Sequence, residues 1–327
     1  MLTLADTFAG MKNRTRLLAA AALPLALALP AAMAPAQSSA PYTHVETGRT
    51  YARLQDAIDS VGDSMGTIRI APGRYADCAI QSAGDVLFMA AVPGQAVFEG
   101  RTCEGKAALV LRGRSARIEG LVFARMAVPD GNGAGIRLEK GNLAVSQSWF
   151  RDSQQGILTG NDAAGTITID KSTFSRLGTC EFSGGCAHSI YIGEYGALTV
   201  TRSRFEAGAG GHYVKARAER VGIFNCSFDD SRGKATNYMI DLPAGSTGKI
   251  IGNWFLQGRD KENYSAFIAV GAESRTHTSN GLKIEGNDGR FAPGVDRQSV
   301  FVADWSGDRL AIGVNHLAPN LQRFEKR

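Results

Sequence analysis

The chain has 327 residues, 44% of them hydrophobic, which is enough for a sizeable core in one or two domains. Lysine and arginine number 36 against 31 acids, a formal net charge of +5. This mild excess permits a polyanionic partner. Without any Lys/Arg-rich arm, it argues against a nucleic-acid-binding protein.

Residues 1–36 read as an export signal. Lys12, Arg14 and Arg16 form a basic segment, an apolar stretch runs from Leu17 to Leu29, and Ala34-Pro35-Ala36 supplies a small-x-small cleavage signal. Met11 is an alternative start, since residues 1–10 look like an upstream extension. The apolar run is too short to span a bilayer comfortably, and Pro24 and Pro30 interrupt it. Its removal takes away three bases and one acid, lowering the net charge from +5 to +3. No later segment is apolar enough for a membrane span. The expectation is an exported protein, periplasmic or extracellular, in which residues 37–327 form one monomeric domain. Five cysteines in such a protein allow two disulfides and one free thiol. Cys180 and Cys186 flank a Gly-rich loop and suit a staple, Cys78 and Cys103 could bridge neighbouring coils, and Cys226 reads as a buried thiol. No Cys/His spacing suggests zinc.

The first predicted element is a short amphipathic helix over Tyr51 to Val61, followed by a β-strand, Pro-Gly and Tyr. Beyond it the chain repeats. A polar or small residue, one spacer and then Phe recur at Phe123, Phe150, Phe174, Phe205, Phe228 and Phe255, at intervals of 27, 24, 31, 23 and 27 residues. Each interval holds two strand-like runs with period-two alternation, such as GIRLE and NLAVSQS or HSIYI and ALTVTRS, separated by Gly, Asp and Asn. Many β-runs at this period with no helices between them predict an all-β fold, a β-solenoid in which like positions stack about 4.8 Å apart. The phenylalanines would then form an internal stack, and Ser148, Ser172, Ser203 and Asn253 a polar turn ladder. Trp149 and Trp254 would share the buried Phe turns. After Ala272 the repeat loosens; AESRTHTSN reads as an added loop, and residues 306–327 close the last coil.

The segment Thr47 to Cys78 resembles the entry segment of pectate-lyase-like β-helix proteins, in which a helix caps the first coil. That resemblance, which covers nearly all of residues 37–327, implies a right-handed parallel β-helix with a short N-terminal capping helix. Function must be read from the site.

Long insertions follow Phe174, Phe205, Phe228 and Phe255, and each leads into the same type of strand. Stacked, they would wall a groove whose floor is that strand face. Parity aims Tyr191 outward from HSIYIG, Tyr213, Lys215 and Arg217 outward from HYVKARA, and Met239 and Asp241 outward from NYMIDLP. A step of 24 residues would set Lys215 beside Tyr191, Arg217 beside Asp241 and His212 beside His188. His188, His212 and Tyr238 have inward parity, but at the first positions of their strands the turn can aim them into the groove. Glu194 and Tyr195 would line the opposite rim. One reading of this set is an outward polar ladder with an Arg217–Asp241 ion pair. The other is a site, favoured by the density of titratable groups beneath the longest loops.

A groove of Lys, Arg, Tyr and His suits an acidic polysaccharide. Uronic-acid polymers break by β-elimination, in which a base takes the C5 proton, the carboxylate is neutralised and the leaving O4 is protonated. In this reading Lys215 or a histidine, His188 or His212, is the base, with Arg217 favouring the neutral form of Lys215. Tyr191 protonates O4, and Arg217, Asp241, Tyr213, Tyr238 and Glu194 bind substrate or orient the catalytic groups. The chemistry resembles that of parallel β-helix polysaccharide lyases, which implies Ca²⁺ as a possible carboxylate neutraliser. No matching acid cluster is evident here; Asp229, Asp230 and Asp241 are the candidate ligands. A C5-epimerase, a glycoside hydrolase needing paired carboxylates, and a carbohydrate-binding surface protein are the alternatives.

Overall fold

The computed structural model describes residues 40–181 and 185–327, so the predicted export signal lies outside the described residues. The chain winds through three sheets, and each coil gives one strand to each. The first sheet has 12 strands and the other two have 10. Sequence patterning suggests two strands per coil. The third is the three- or four-residue segment around each Phe, for example Trp149–Arg151 and Arg204–Glu206, too short to show a period of its own. Pairing from coil to coil is parallel throughout. Only the N-terminal edge differs, where Tyr42–His44 runs antiparallel to Arg49–Tyr51 and to Met65–Ile70.

The interior is one continuous apolar cluster. In the second sheet Phe98, Phe123, Phe150, Phe174, Phe205, Phe228 and Phe255 are in strict register. From Phe123 onward their centroids are 4.8–5.0 Å apart with planes within 14°. The strand spacing sets that distance, so the backbone ladder brings the rings face to face at no extra cost. Room for them comes from the third sheet, where a Cβ on Gly135 would lie 2.7 Å from the Phe150 ring and one on Gly156 2.9 Å from Phe174.

At the turn before this sheet the side chain of each coil caps the backbone of the one before. The amide of Leu121 donates to Ser148 Oγ, Ser148 to Ser172 and Ser172 to Ser203 (3.1–3.3 Å), then Cys226 to Asn253 and Asn253 to Asn287 (2.9 Å each). This ladder satisfies buried amides that no strand reaches. Cys226 takes one rung of it as a free, buried thiol. Parity corrects the reading of the tryptophans. Phe150 and Phe255 point inward, so Trp149 and Trp254 point out, and Trp149 is exposed.

The helix is shorter than the pattern suggests, Leu54–Asp59, and buries Leu54, Ala57 and Ile58 over the first coil. Gln55 satisfies the open strand edge from both sides: its amide donates to the Ile80 carbonyl (3.0 Å), and its carbonyl accepts from the Ile80 amide (2.8 Å). Cys78–Cys103 and Cys180–Cys186 are disulfides, consistent with an exported protein in an oxidising compartment. Among the described residues no helix is long and apolar enough to cross a membrane.

Candidate functional site

The outward face of the third sheet changes character along the solenoid. Successive coils place Val110, Arg137, Leu158, Tyr191, Lys215, Asp241 and Ala269 in one row. The charged stretch of this row is the floor of a cleft of about 380 Å³. Asp130, Asn132 and Gln155 lie at its upstream end, His188, Tyr191, His212, Lys215 and Arg217 at its centre, and Asn237, Glu262 and Glu273 downstream. Cys186 of the disulfide loop contributes to the wall.

Tyr191 and Lys215 are neighbours as the 24-residue step predicts, with the ammonium 5.9 Å from the ring centroid. The next step is different. The insertion before Ile240–Leu242 lengthens it to 26 residues, so Asp241 lies beside Lys215 and not beside Arg217. Lys215 Nζ is 3.5 Å from Asp241 Oδ2 and 2.6 Å from Glu273 Oε1. Arg217 turns the other way: its Nε donates to the Tyr191 hydroxyl (3.0 Å), and its Nη2 pairs with Glu273 Oε2. Both oxygens of one carboxylate are thus taken by two cations, Lys215 in the strand Val214–Ala216 and Arg217 just past its end. Burial works against the charge of Glu273, but the hydrogen bonds from Lys215 and Arg217 outweigh it and hold the carboxyl below its ordinary range. Glu273, a residue of the AESRTHTSN loop, was missed because a loop side chain carries no parity.

The histidines are buried yet line the cleft. At Gly211 φ is +59°, and a Cβ there would come 2.1 Å from the Ala187 carbonyl; glycine lets the two turns close on each other. The imidazoles of His188 and His212 then lie 4.9 Å apart, tilted by 36°, with Tyr238 stacked on His212 at 5.5 Å. His188 Nδ1 lies 3.0 Å from the His212 amide, and since an amide can only donate, the neutral ring carries its proton on Nε2. Burial, with Lys215 nearby, pushes His188 down to about 3 and His212 well below the ordinary range, so both rings are uncharged at neutral pH. His212 Nε2 lies 3.4 Å from Asp241 Oδ2. Burial raises Asp241 to about 6 despite Lys215, and its Oδ1 has no hydrogen-bond partner among the described residues.

Tyr213, expected to face outward, is a core residue. The strand begins only at Val214, so parity does not extend to it. Met239 is buried for the same reason, just ahead of Ile240–Leu242. The Tyr213 hydroxyl donates to Asp230 Oδ1 (2.7 Å), which also accepts from Thr236 Oγ1 (2.8 Å), while Asp230 Oδ2 accepts from the Gly258 amide (3.0 Å) and pairs with Lys261 Nζ (3.1 Å). Asp230 is therefore a fully buried anchor for three loops, with no oxygen left for calcium. Asp229 is engaged by Ser231 and Arg204. Among the described residues no group of three or more His, Cys, Asp or Glu could hold a metal, so the residues present do not fit the calcium site that the resemblance implies. Glu194 is exposed and does not line the cleft, its amide donating to Asn161, and Tyr195 is buried. Tyr238 supports the site from behind His212, and its hydroxyl accepts from Asn263 Nδ2 (2.9 Å).

The fold and this cleft define a solenoid with a polar surface groove. The family model for the right handed beta helix region matches residues 134–308, more than half the sequence, and the chain belongs to that family. Among solved structures, the PL6 family alginate lyase AlyGC is similar with a TM-score of 0.54 and 16% identity, over 81% of this chain and 39% of that one. This chain therefore spans well under half the length of that lyase. The Streptococcus pneumoniae surface protein and adhesin PfbA gives 0.48 at 10% identity (84% and 94% covered), and the pectin methylesterase from Aspergillus niger 0.40 at 12% (75% and 83%). At these identities the likeness is one of fold. No curated protein matches the sequence.

Proposed function

We propose that the protein is a lyase that cleaves a uronic-acid-containing polysaccharide by β-elimination in this cleft. The observation that carries the reading is the grip of Lys215 and Arg217 on both oxygens of one carboxylate, beside a tyrosine hydroxyl and two uncharged imidazoles. Lys215 and Arg217 take the uronate carboxylate, and their charge stabilises the enolate formed when the C5 proton leaves. His212 takes that proton, and Asp241 at 3.4 Å from its Nε2 steadies the imidazolium. The electron pair forms the C4–C5 double bond, the C4–O4 bond breaks, and Tyr191 gives its proton to O4. Its phenol oxygen accepts from Arg217, which leaves the O–H free to donate. His188, with its proton on Nε2, offers a second donor to the sugar. Lys215, ion-paired to two carboxylates, fits the neutralising role better than that of base.

The likeness to an alginate lyase fold agrees with this chemistry without adding to it. The test is the ultraviolet absorbance of the unsaturated product on alginate, polygalacturonate, glucuronan and hyaluronan, each with and without calcium. A signal on one substrate that Tyr191→Phe and Lys215→Ala abolish is expected. A signal that survives both substitutions moves the chemistry elsewhere. No signal on any substrate, with C5 proton exchange into solvent, would replace cleavage by epimerisation. Neither signal would leave a binding protein.

A further inference from the structure

The carboxylate in the grip of Lys215 and Arg217 belongs to the protein itself. Glu273 lies three residues past the strand Ala266–Val270, on a loop that carries its side chain back over the cleft floor. The backbone fixes that loop independently of the ion pairs: the amides of Glu273 and Ser274 both donate to the Pro243 carbonyl (3.0 and 2.9 Å), and the His277 amide donates to the Ala244 carbonyl (2.9 Å). Burial within the trio is unequal. Lys215 is 12% exposed and Arg217 23%, whereas Glu273 is 44% exposed. The two cations are built into the floor, and the carboxylate rests on them from the solvent side.

With its carboxylate on the solvent side, where water screens the charge, the Glu273 contact is a poor fold stabiliser and an inexpensive one to break. Its geometry matters more. A pyranose carboxylate offers the same two oxygens, and a ligand that brings one can replace Glu273 without leaving either cation unpaired. A neutral sugar cannot make that exchange; to enter it must strip the carboxylate from two half-buried cations and return nothing.

We propose that Glu273 is an internal substrate mimic: it fills the carboxylate subsite formed by Lys215 and Arg217 in the free protein, yields it to a uronate, and so excludes neutral glycans and weak anions. This inference rests on the reading of the cleft as a uronate site and adds to it the residue that sets the threshold for entry.

The experiment is calorimetric titration of the full chain and of its Glu273→Gln variant with trimers of galacturonate, mannuronate and glucuronate, alongside their carboxyl-reduced neutral counterparts. Glu273→Gln keeps the size of the side chain and every backbone hydrogen bond of the loop, and its thermal unfolding controls for folding. The expected result is at least tenfold tighter binding of one uronate trimer by the variant, with weak binding of the neutral trimers appearing. Uronate binding that is unchanged or weaker in the variant overturns the mimic and leaves the uronate site standing, with Glu273 then a contact to the sugar. A uronate that binds neither form overturns the functional reading and the inference together. Preferential binding of neutral trimers by the native chain overturns both as well.

Discussion

Two clusters of aspartate, lysine and tyrosine lie side by side across the same coils, and they are finished to opposite degrees. Around Asp230 every oxygen is used: Tyr213, Thr236, Gly258 and Lys261 surround a carboxylate with no exposure at all. Around Asp241, eleven residues on, Lys215 and His212 approach only one oxygen, at 3.5 and 3.4 Å. Among the described residues Asp241 Oδ1 and His212 Nδ1 have no partner, and the cations above are held by an exposed glutamate. A buried polar group left unsatisfied costs about 1–3 kcal/mol, so an incomplete cluster persists only where something else is gained. The closed cluster ties down three loops; the open one faces the cleft those loops wall. Composition alone does not separate them, because Asp, Lys and Tyr occur in both. Saturation of their hydrogen bonds does.

The largest expected effect breaks the closed cluster. Lys261→Met leaves Asp230 buried without its counter-ion, and removing one partner of such a pair costs about 3–5 kcal/mol. Urea unfolding measures it. Asp230→Asn combined with Lys261→Met should recover much of the loss, since no buried charge then remains. If the single variant keeps native stability but loses catalysis, the cluster is not structural and the contrast fails. The next effect belongs to the open cluster and has the opposite signature. His212→Gln should lower kcat about a hundredfold or more, the usual yield of a positioned general base, with little change in the urea midpoint. A stability loss as large as that of Lys261→Met would mean that His212 is a core histidine after all.

How far the sequence carries this contrast depends on whether a residue obeys the repeat. The Phe stack, the Ser/Asn ladder, the Cys78–Cys103 disulfide and the Tyr191–Lys215 pairing are legible because each follows from the coil repeat or period-two parity, and Cys180–Cys186 because it closes a short Gly-rich loop. The partner of Asp241 is not, since the pairing depends on the coil length, and the insertion before Ile240 adds two residues to the step. Tyr213 and Met239 stand one residue outside their strands, where the turn sets direction. Glu273, Glu262 and Asn237 arrive on loops, and only three-dimensional closure brings them to the floor. The misreadings cluster at the cleft, where the chain departs from its own repeat.

The smallest expected effect separates the groups within the open cluster by sign. His188 is pushed to about 3 and His212 is also lowered, so the folded chain binds fewer protons than the unfolded chain at these rings. Their contribution to stability is complete above their ordinary value near 6.5 and is lost as the pH falls toward 3. Asp241 works the other way. Raised from 3.8 to about 6, it favours the fold at low pH, and that contribution disappears as the pH rises through 6. Two histidines oppose one carboxyl, so the site as a whole should lose stability between pH 7 and pH 5. Asp241→Asn removes the opposing group, so its urea midpoint should fall more steeply over that interval than that of the native chain, whereas His188→Gln should fall less steeply. An unchanged slope for Asp241→Asn would mean that the carboxyl ionises in its ordinary range in the folded chain, and that the cluster is closed by charge where it looks open by hydrogen bonds. Catalysis gives an independent reading of the same group: an acid limb near pH 6 that Asp241→Asn abolishes identifies the ionised carboxylate as the partner of the His212 imidazolium, and a limb unchanged by the substitution assigns it to another residue.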